Sequence, residues 1–321
     1  MMIGISLSGC ASGSQESAEL DCLQIDTTEQ MAMQATEQTG FCKNPDTIEA
    51  TDNTEITENL AINRIEESPV LHFVDVFGEE YQVEINPNVE KQDYKPEAFV
   101  HNGQVLGYEG DERYTYRLGV DVSHHQGVIN WEKVKAAGYD FAFLRIGYRG
   151  YGKEGEICLD RQFARNIENA QAAGIDVGVY FFAQAINEKE AREEAEFVLG
   201  KLEGYELQLP VVYDPESILE DEARTDDVTG EQFTKNTAVF CELIEEAGYE
   251  PMIYSNMLWE AYQFDLEALS GYPVWYADYE AIPQTPYAFA FWQYTNTAKV
   301  NGIDGIVDLD IQLIPVDNNS K

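Results

Sequence analysis

The stretch Ala172-Ala173-Gly174-Ile175-Asp176-Val177-Gly178-Val179-Tyr180-Phe181-Phe182 decides the fold. Its first glycine stands where a helix stops in the left-handed conformation. The run that follows is short, rich in Val and aromatics, and bounded by turn signals. A strand buried on both faces of a parallel sheet reads this way. The same punctuation recurs outward in both directions. Ala136-Ala137-Gly138 precedes Phe141-Ala142-Phe143-Leu144-Arg145, and Glu203-Gly204 precedes Leu209-Pro210-Val211-Val212-Tyr213. Glu246-Ala247-Gly248 precedes Met252-Ile253-Tyr254, and Ser270-Gly271 precedes Val274-Trp275-Tyr276.

Helical faces fill the gaps. Phe163, Ile167 and Ala170 share one face; Ala191, Ala195, Leu199 and Leu202 share another; Phe233, Thr237, Phe240 and Ile244 share a third. Asn187 with Glu190, and Thr229 with Gln232, have the spacing of capping boxes. The last part differs. Runs at 274–277, 289–295 and 303–309 lie too close for full helices between them. The sheet therefore begins as alternating strand and helix and ends as nearly pure strand. An irregular barrel fits this α/β pattern. A dinucleotide fold does not, because no GxGxxG follows a strand.

Acidic residues stand at the ends of these apolar runs. Val211-Val212-Tyr213 leads into Asp214-Pro215-Glu216, two carboxylates spaced to share one side of a strand. Gly119-Val120-Asp121 and Ile306-Val307-Asp308-Leu309-Asp310 end likewise. Barrel rims at strand ends are where catalytic groups gather. One protonated carboxyl beside an ionised one is what glycosidic cleavage requires. A chain with 59 acids also places some there by chance, so each run alone is weak and the three together are not.

Composition narrows the partners. Twenty basic residues against 59 acidic ones leave a formal charge of −39. That opposes nucleic acid and anionic lipid surfaces as partners. Residues 11–60 carry eleven acids and one base, Lys43, with few large apolar groups. We expect an acidic flexible linker over 11–62. Residues 63–116 contain Val70-Leu71-His72-Phe73-Val74-Asp75-Val76 and the alternating Tyr81-Gln82-Val83-Glu84-Ile85. They read as a small β-rich module that needs a partner to pack on. A barrel over 117–316 and a tail over 317–321 complete the division.

Residues 1–10 end in Leu7-Ser8-Gly9-Cys10, which resembles a bacterial lipobox, after an apolar stretch short for a secretory signal. Lipidation of Cys10, and hence an extracellular, membrane-anchored place in the bacterial cell envelope, is the expectation. Cys22 and Cys42 lie in the polar segment and are able to pair. No Cys/His spacing suits a metal, and we expect neither metal nor cofactor. His124-His125 are neighbours that point apart on a strand.

The motifs taken together resemble glycoside hydrolase family 25, the Chalaropsis-type lysozymes or muramidases. They are Gly119-Val120-Asp121-Val122-Ser123-His124-His125-Gln126-Gly127, Arg145-Ile146-Gly147-Tyr148-Arg149, Asp214-Pro215-Glu216, Trp275-Tyr276-Ala277-Asp278-Tyr279, Trp292-Gln293-Tyr294-Thr295 and Val307-Asp308-Leu309-Asp310. The resemblance covers about 117–315. It implies an irregular TIM-like (β/α)5β3 barrel that cuts the β-1,4 bond between N-acetylmuramic acid and N-acetylglucosamine in peptidoglycan. It places the general acid on Glu216, its partner on Asp214, and supporting carboxylates on Asp121 and Asp308. The sequence departs from the pattern at Pro215 and at Asp310, where Asn is commoner.

Glu216 among apolar walls and other carboxylates is expected to hold its proton at neutral pH. Aromatic faces suit sugar rings, so Tyr180, Phe182, Tyr254, Trp275, Tyr276, Trp292 and Tyr294 are candidates for the glycan groove, about half of them being core instead. Asp278, Gln293 and Arg145 join them as substrate-binding candidates. Peptidoglycan strands are the expected partner of a monomeric enzyme. A catalytically silent peptidoglycan-binding lipoprotein and a glycosidase acting on another amino-sugar polymer such as chitin are the alternatives.

Overall fold

The structure, a computed structural model, describes residues 69–219 and 221–316. Eight strands close a barrel. In chain order, β1 (Val70–Val74) and β2 (Glu80–Glu84) form one hairpin and β3 (Phe99–Asn102) and β4 (Val105–Tyr108) another, both outside it. The barrel strands are β5 (Tyr114–Val122), β6 (Phe141–Arg149), β8 (Asp176–Ala183), β9 (Val211–Pro215), β10 (Pro251–Asn256), β11 (Val274–Ala277), β12 (Phe291–Ala298) and β13 (Val307–Pro315). A short β7 (Ile157–Leu159) runs antiparallel along the end of β6. Neighbours from β5 to β12 are parallel; β13 runs antiparallel to both β12 and β5 and closes the ring.

Helices α1 (Trp131–Ala136), α2 (Phe163–Ala172), α3 (Glu188–Leu202), α4 (Gly230–Glu246) and α5 (Met257–Tyr262) alternate with the first six barrel strands. Their boundaries follow local chemistry. Asn187 accepts from Glu190 N and Thr229 from Gln232 N, each satisfying an orphan donor of the first turn. Gly138, Gly174, Gly204 and Gly248 all have positive φ, as the punctuation requires. Gly271 does not, because no helix of this series ends there.

Inside the barrel Phe141, Phe143, Val212, Met252, Trp275 and Phe291 form a packed floor. Two glycines make room for it. A Cβ at Gly119 would lie 2.2 Å from the Phe141 ring, and one at Gly178 would lie 2.5 Å from the Phe143 ring.

Among the described residues no helix covers the outside of β11, β12 and β13; the β3–β4 hairpin and the segment before it do so, while the β1–β2 hairpin packs on α5 and the loop after β11. Phe99 meets Trp292 edge to face at 5.2 Å, and Tyr94 meets Phe289 at 4.9 Å. Tyr294 Oη accepts from Leu106 N, and Tyr94 Oη donates to Phe289 O. The backbone of Lys91 bridges Tyr287, and Ala288 N donates to Glu90 O. Strand β5 begins at Tyr114, where it pairs with Pro315, so the barrel takes in residues that the sequence assigns to the module before it. Cys10, Cys22, Cys42 and the linker lie outside the described residues.

Candidate active site

The six parallel strands from β5 to β11 raise their C-terminal ends to one mouth, and parity decides which side chains face into it. Pairing places Asp121 beside Phe143, Arg145 beside Tyr180, Tyr180 beside Val212, Tyr254 beside Trp275, and Ala277 beside Gln293. The antiparallel β13 starts at this mouth, with Asp308 opposite Asp121 and Asp310 opposite Gln293. Lumen-facing residues therefore include Asp121, Arg145, Tyr180, Asp214, Tyr254, Trp275, Gln293, Asp308 and Asp310. Glu216, half-buried, follows one residue beyond the end of β9.

A hydrogen-bond chain runs across the floor of the mouth. Tyr254 Oη and Tyr279 Oη both donate to Gln293 Oε1 at 3.0 Å. Gln293 Nε2 donates to Asp121 Oδ2 at 2.9 Å. Trp275 Nε1 donates to Asp310 Oδ1 at 2.8 Å. The carboxyls of Asp308 and Asp310 crowd that of Asp121. Three carboxyls in contact cannot all be ionised. Burial pushes Asp121 up to about 6, offset in part by Gln293. Burial and the Asp121 charge hold Asp308 and Asp310 well above the usual carboxylate range.

Glu216 belongs to the same cluster. Its charge adds to the elevation of Asp308, Tyr254 and Tyr279, each of which is raised first by burial. The charges of Asp214 and Asp121 act likewise on Tyr180 and Tyr254. These phenols stay neutral and serve as donors and walls. The Glu216 backbone is held from beneath by Gln184 Nε2, donating to its carbonyl at 2.8 Å.

Arg145 supplies the cation. Its Nε donates to Asp160 Oδ2 at 3.1 Å, and its Nη2 lies 2.7 Å from His124 Nδ1. His124 N also donates to Asp160 Oδ2. Asp160 falls to about 2 despite its burial, because His124 and Arg145 outweigh the desolvation. His124 itself is lowered by burial. Among the described residues no group of three His, Cys, Asp or Glu side chains has the arrangement of a metal site.

Three of the expected groove aromatics, and Asp278, stand elsewhere. Tyr276, Trp292 and Tyr294 alternate with lumen residues and so point outward, under the hairpins. Tyr276 stacks on Phe289, and Trp292 Nε1 donates to Asp278 O at 2.7 Å. Asp278 faces the same way. Its carboxylate accepts from Tyr276 Oη, Glu280 N and Gln284 N, organising the loop after β11 rather than binding in the mouth. Phe182 packs at the rim with Tyr148 and Tyr151. Arg149 is outside the barrel, bonded to Glu194 at 2.7 Å.

Two contributors escaped the sequence reading. Tyr279 has no strand parity to betray it, and Asp160 reads locally as a turn residue, since its Oδ1 accepts from Gln162 N.

Sequence comparison agrees with this architecture. The pattern of Glycosyl hydrolases family 25 matches residues 120–303, and the chain belongs to that family. Lysozyme M1 of Streptomyces globisporus is 30% identical over 201 residues, a match covering 59% of this chain and 65% of that protein. The chain thus spans just under two thirds of that relative's length. A family 25 glycosyl hydrolase structure from Bacillus anthracis aligns with a TM-score of 0.52 at 26% identity, covering 66% of this chain and 94% of that one. A bacterial lysozyme structure from Streptomyces coelicolor aligns at 0.50 and 27% identity, covering 60% and 90%.

Proposed function

We propose that this protein is a muramidase that hydrolyses the β-1,4 bond between N-acetylmuramic acid and N-acetylglucosamine in peptidoglycan, on a barrel of the (β/α)5β3 type. The observation that carries the reading is the convergence of Glu216, Asp214, Asp121 and Asp308 on Tyr254 and Tyr279 at one mouth. Family membership supports it.

Glu216 is the general acid. It is half-buried where Asp214 and Asp121 are buried, so it meets both the glycosidic oxygen and water. It donates its proton as the C1–O bond breaks. Asp214, spaced to share its side of the strand, stays ionised and faces the positive charge developing at C1. Water then supplies hydroxide to C1 and returns a proton to Glu216. Asp121 and Asp308 orient and stabilise. Tyr180 and Tyr254, both standing edge to face on the buried Trp275, form the walls that receive the sugar rings.

Digestion of purified peptidoglycan, with mass spectrometry of the new reducing end, tests this. Muramic acid there is the expected result. Glucosamine at that end, or no product, would overturn it.

The surroundings of the enzyme extend the proposal. Cys10 carries lipid, residues 11–62 act as a tether, and the catalytic unit reaches from the membrane into the wall. The polar, acidic composition of that segment and the Leu7-Ser8-Gly9-Cys10 motif support this. Full-length protein is expected in the membrane fraction and Cys10→Ser in the soluble one. A wild-type protein found free in the medium with residues 1–9 still attached would refute it.

A further inference from the structure

The barrel floor holds one carboxyl more than the proposed chemistry uses. Asp310 is completely enclosed, at 0% exposure. Its Oδ1 accepts from Trp275 Nε1 at 2.8 Å. Its Oδ2 is equally enclosed and meets no donor. On the adjoining strand β5 its carboxyl neighbours that of Asp121. Asp121 Oδ2 is already supplied by Gln293 Nε2.

Two carboxylate groups bond only through a proton. The donors at hand decide which side carries it. Asp121 has an amide donor that favours its ionised form. Asp310 has an indole donor on one oxygen and nothing on the other, so Oδ2 is the natural hydroxyl. The titratable groups around it are Asp121 on β5, Asp308 on β13 itself, Tyr294 on β12 and Tyr279 in the loop after β11. None of these carries a positive charge, and the Asp121 and Asp308 carboxylates make a negative Asp310 worse.

We propose that Asp310 is a positioning residue of this site, a carboxylic acid that stays protonated at neutral pH and donates from Oδ2 to Asp121. The proposal rests on the hydrolytic reading of the mouth. It gives Asp121 two donors, Gln293 below and Asp310 beside it, which fix its rotamer and keep its charge at the mouth. It also accounts for Asp at a position where the resembled motif commonly has Asn. A protonated Asp presents the same acceptor and donor as an amide would.

Asp310→Asn and Asp310→Leu separate this from a packing role. Infrared difference spectra of the intact protein at pH 7, wild type minus Asp310→Asn, should contain the carbonyl stretch of a protonated carboxylic acid, moving in heavy water. Absence of that band would overturn the proposal. This arm needs no turnover, so it stands even if peptidoglycan proves not to be the substrate. In the activity arm, Asp310→Asn keeps the donor and should retain most of the wild-type kcat. Asp310→Leu fills the space without a donor and should lose about tenfold or more in kcat with KM little changed. Equal kcat in folded Asn and Leu variants, or a loss in Asn as large as in Leu, would refute the positioning role. Should the Leu variant not fold, the infrared band and the Asn kinetics decide.

Discussion

Glu216 leaves the strand ladder just after β9 ends, which lets it combine a fixed backbone with access to solvent. Asp214, two residues earlier, is buried. The different exposures suit the tasks proposed for them, proton transfer with turnover in one and a constant charge in the other. Glu216→Gln should therefore lower kcat by about 10² to 10⁴ while circular dichroism and melting stay as in wild type. Asp214→Asn should be comparably impaired, since an amide cannot stabilise a growing positive charge. A Gln variant cleaving near the wild-type rate would redirect the search to Asp121 and Asp308. These carboxylates were legible because an acid at the end of an apolar run is visible in one dimension. The aromatics were not. In Trp292-Gln293-Tyr294 only the middle residue faces the lumen, and nothing in the triplet says which parity is inside.

At the scale of elements, the helix–glycine–strand cycle was readable because each helix needs a left-handed stop and each strand an apolar run. The cover over β11 to β13 was not. In most barrels a helix shields each strand, so the outward Tyr276, Trp292 and Tyr294 look like groove residues until the cover is seen on top of them. A protein beginning at residue 114 would bare that face. It should lose roughly 5 kcal/mol or more in urea unfolding, from the burial contributed by Phe99, Tyr94, Leu106 and Tyr108. It should also bind a hydrophobic dye in the absence of denaturant. A protein beginning at residue 69 should match full length in both assays and in hydrolysis of soluble glycan. The floor offers a second test. Gly178→Val must displace the Phe143 ring and the Pro210 carbonyl. A loss of about 2 kcal/mol or more is expected, with the mouth distorted as well.

For the whole molecule, a chain with a formal charge of −39 carries several acids that folding makes more reluctant to ionise. Glu260 on α5 is buried, accepts from Thr285 Oγ1 at 2.5 Å, and is pushed up to about 8 by desolvation. The folded state then binds a proton that the unfolded chain releases near pH 4. Stability is fully present below that pH and falls as pH rises towards 8, by about 1.4 kcal/mol per unit for this group alone. Glu260→Gln should flatten the urea midpoint between pH 4.5 and 8. An unchanged slope would show that other acids dominate.

The closing strand sets a condition on biosynthesis. Asp308 and Asp310 reach the mouth only when β13 pairs with β5, the first strand of the barrel, across almost the entire catalytic region. Ring closure is thus the last long-range event available to a chain emerging from the ribosome. Until it happens the carboxyl cluster is incomplete, and a nascent or interrupted chain lacks the site on which the proposed hydrolysis depends.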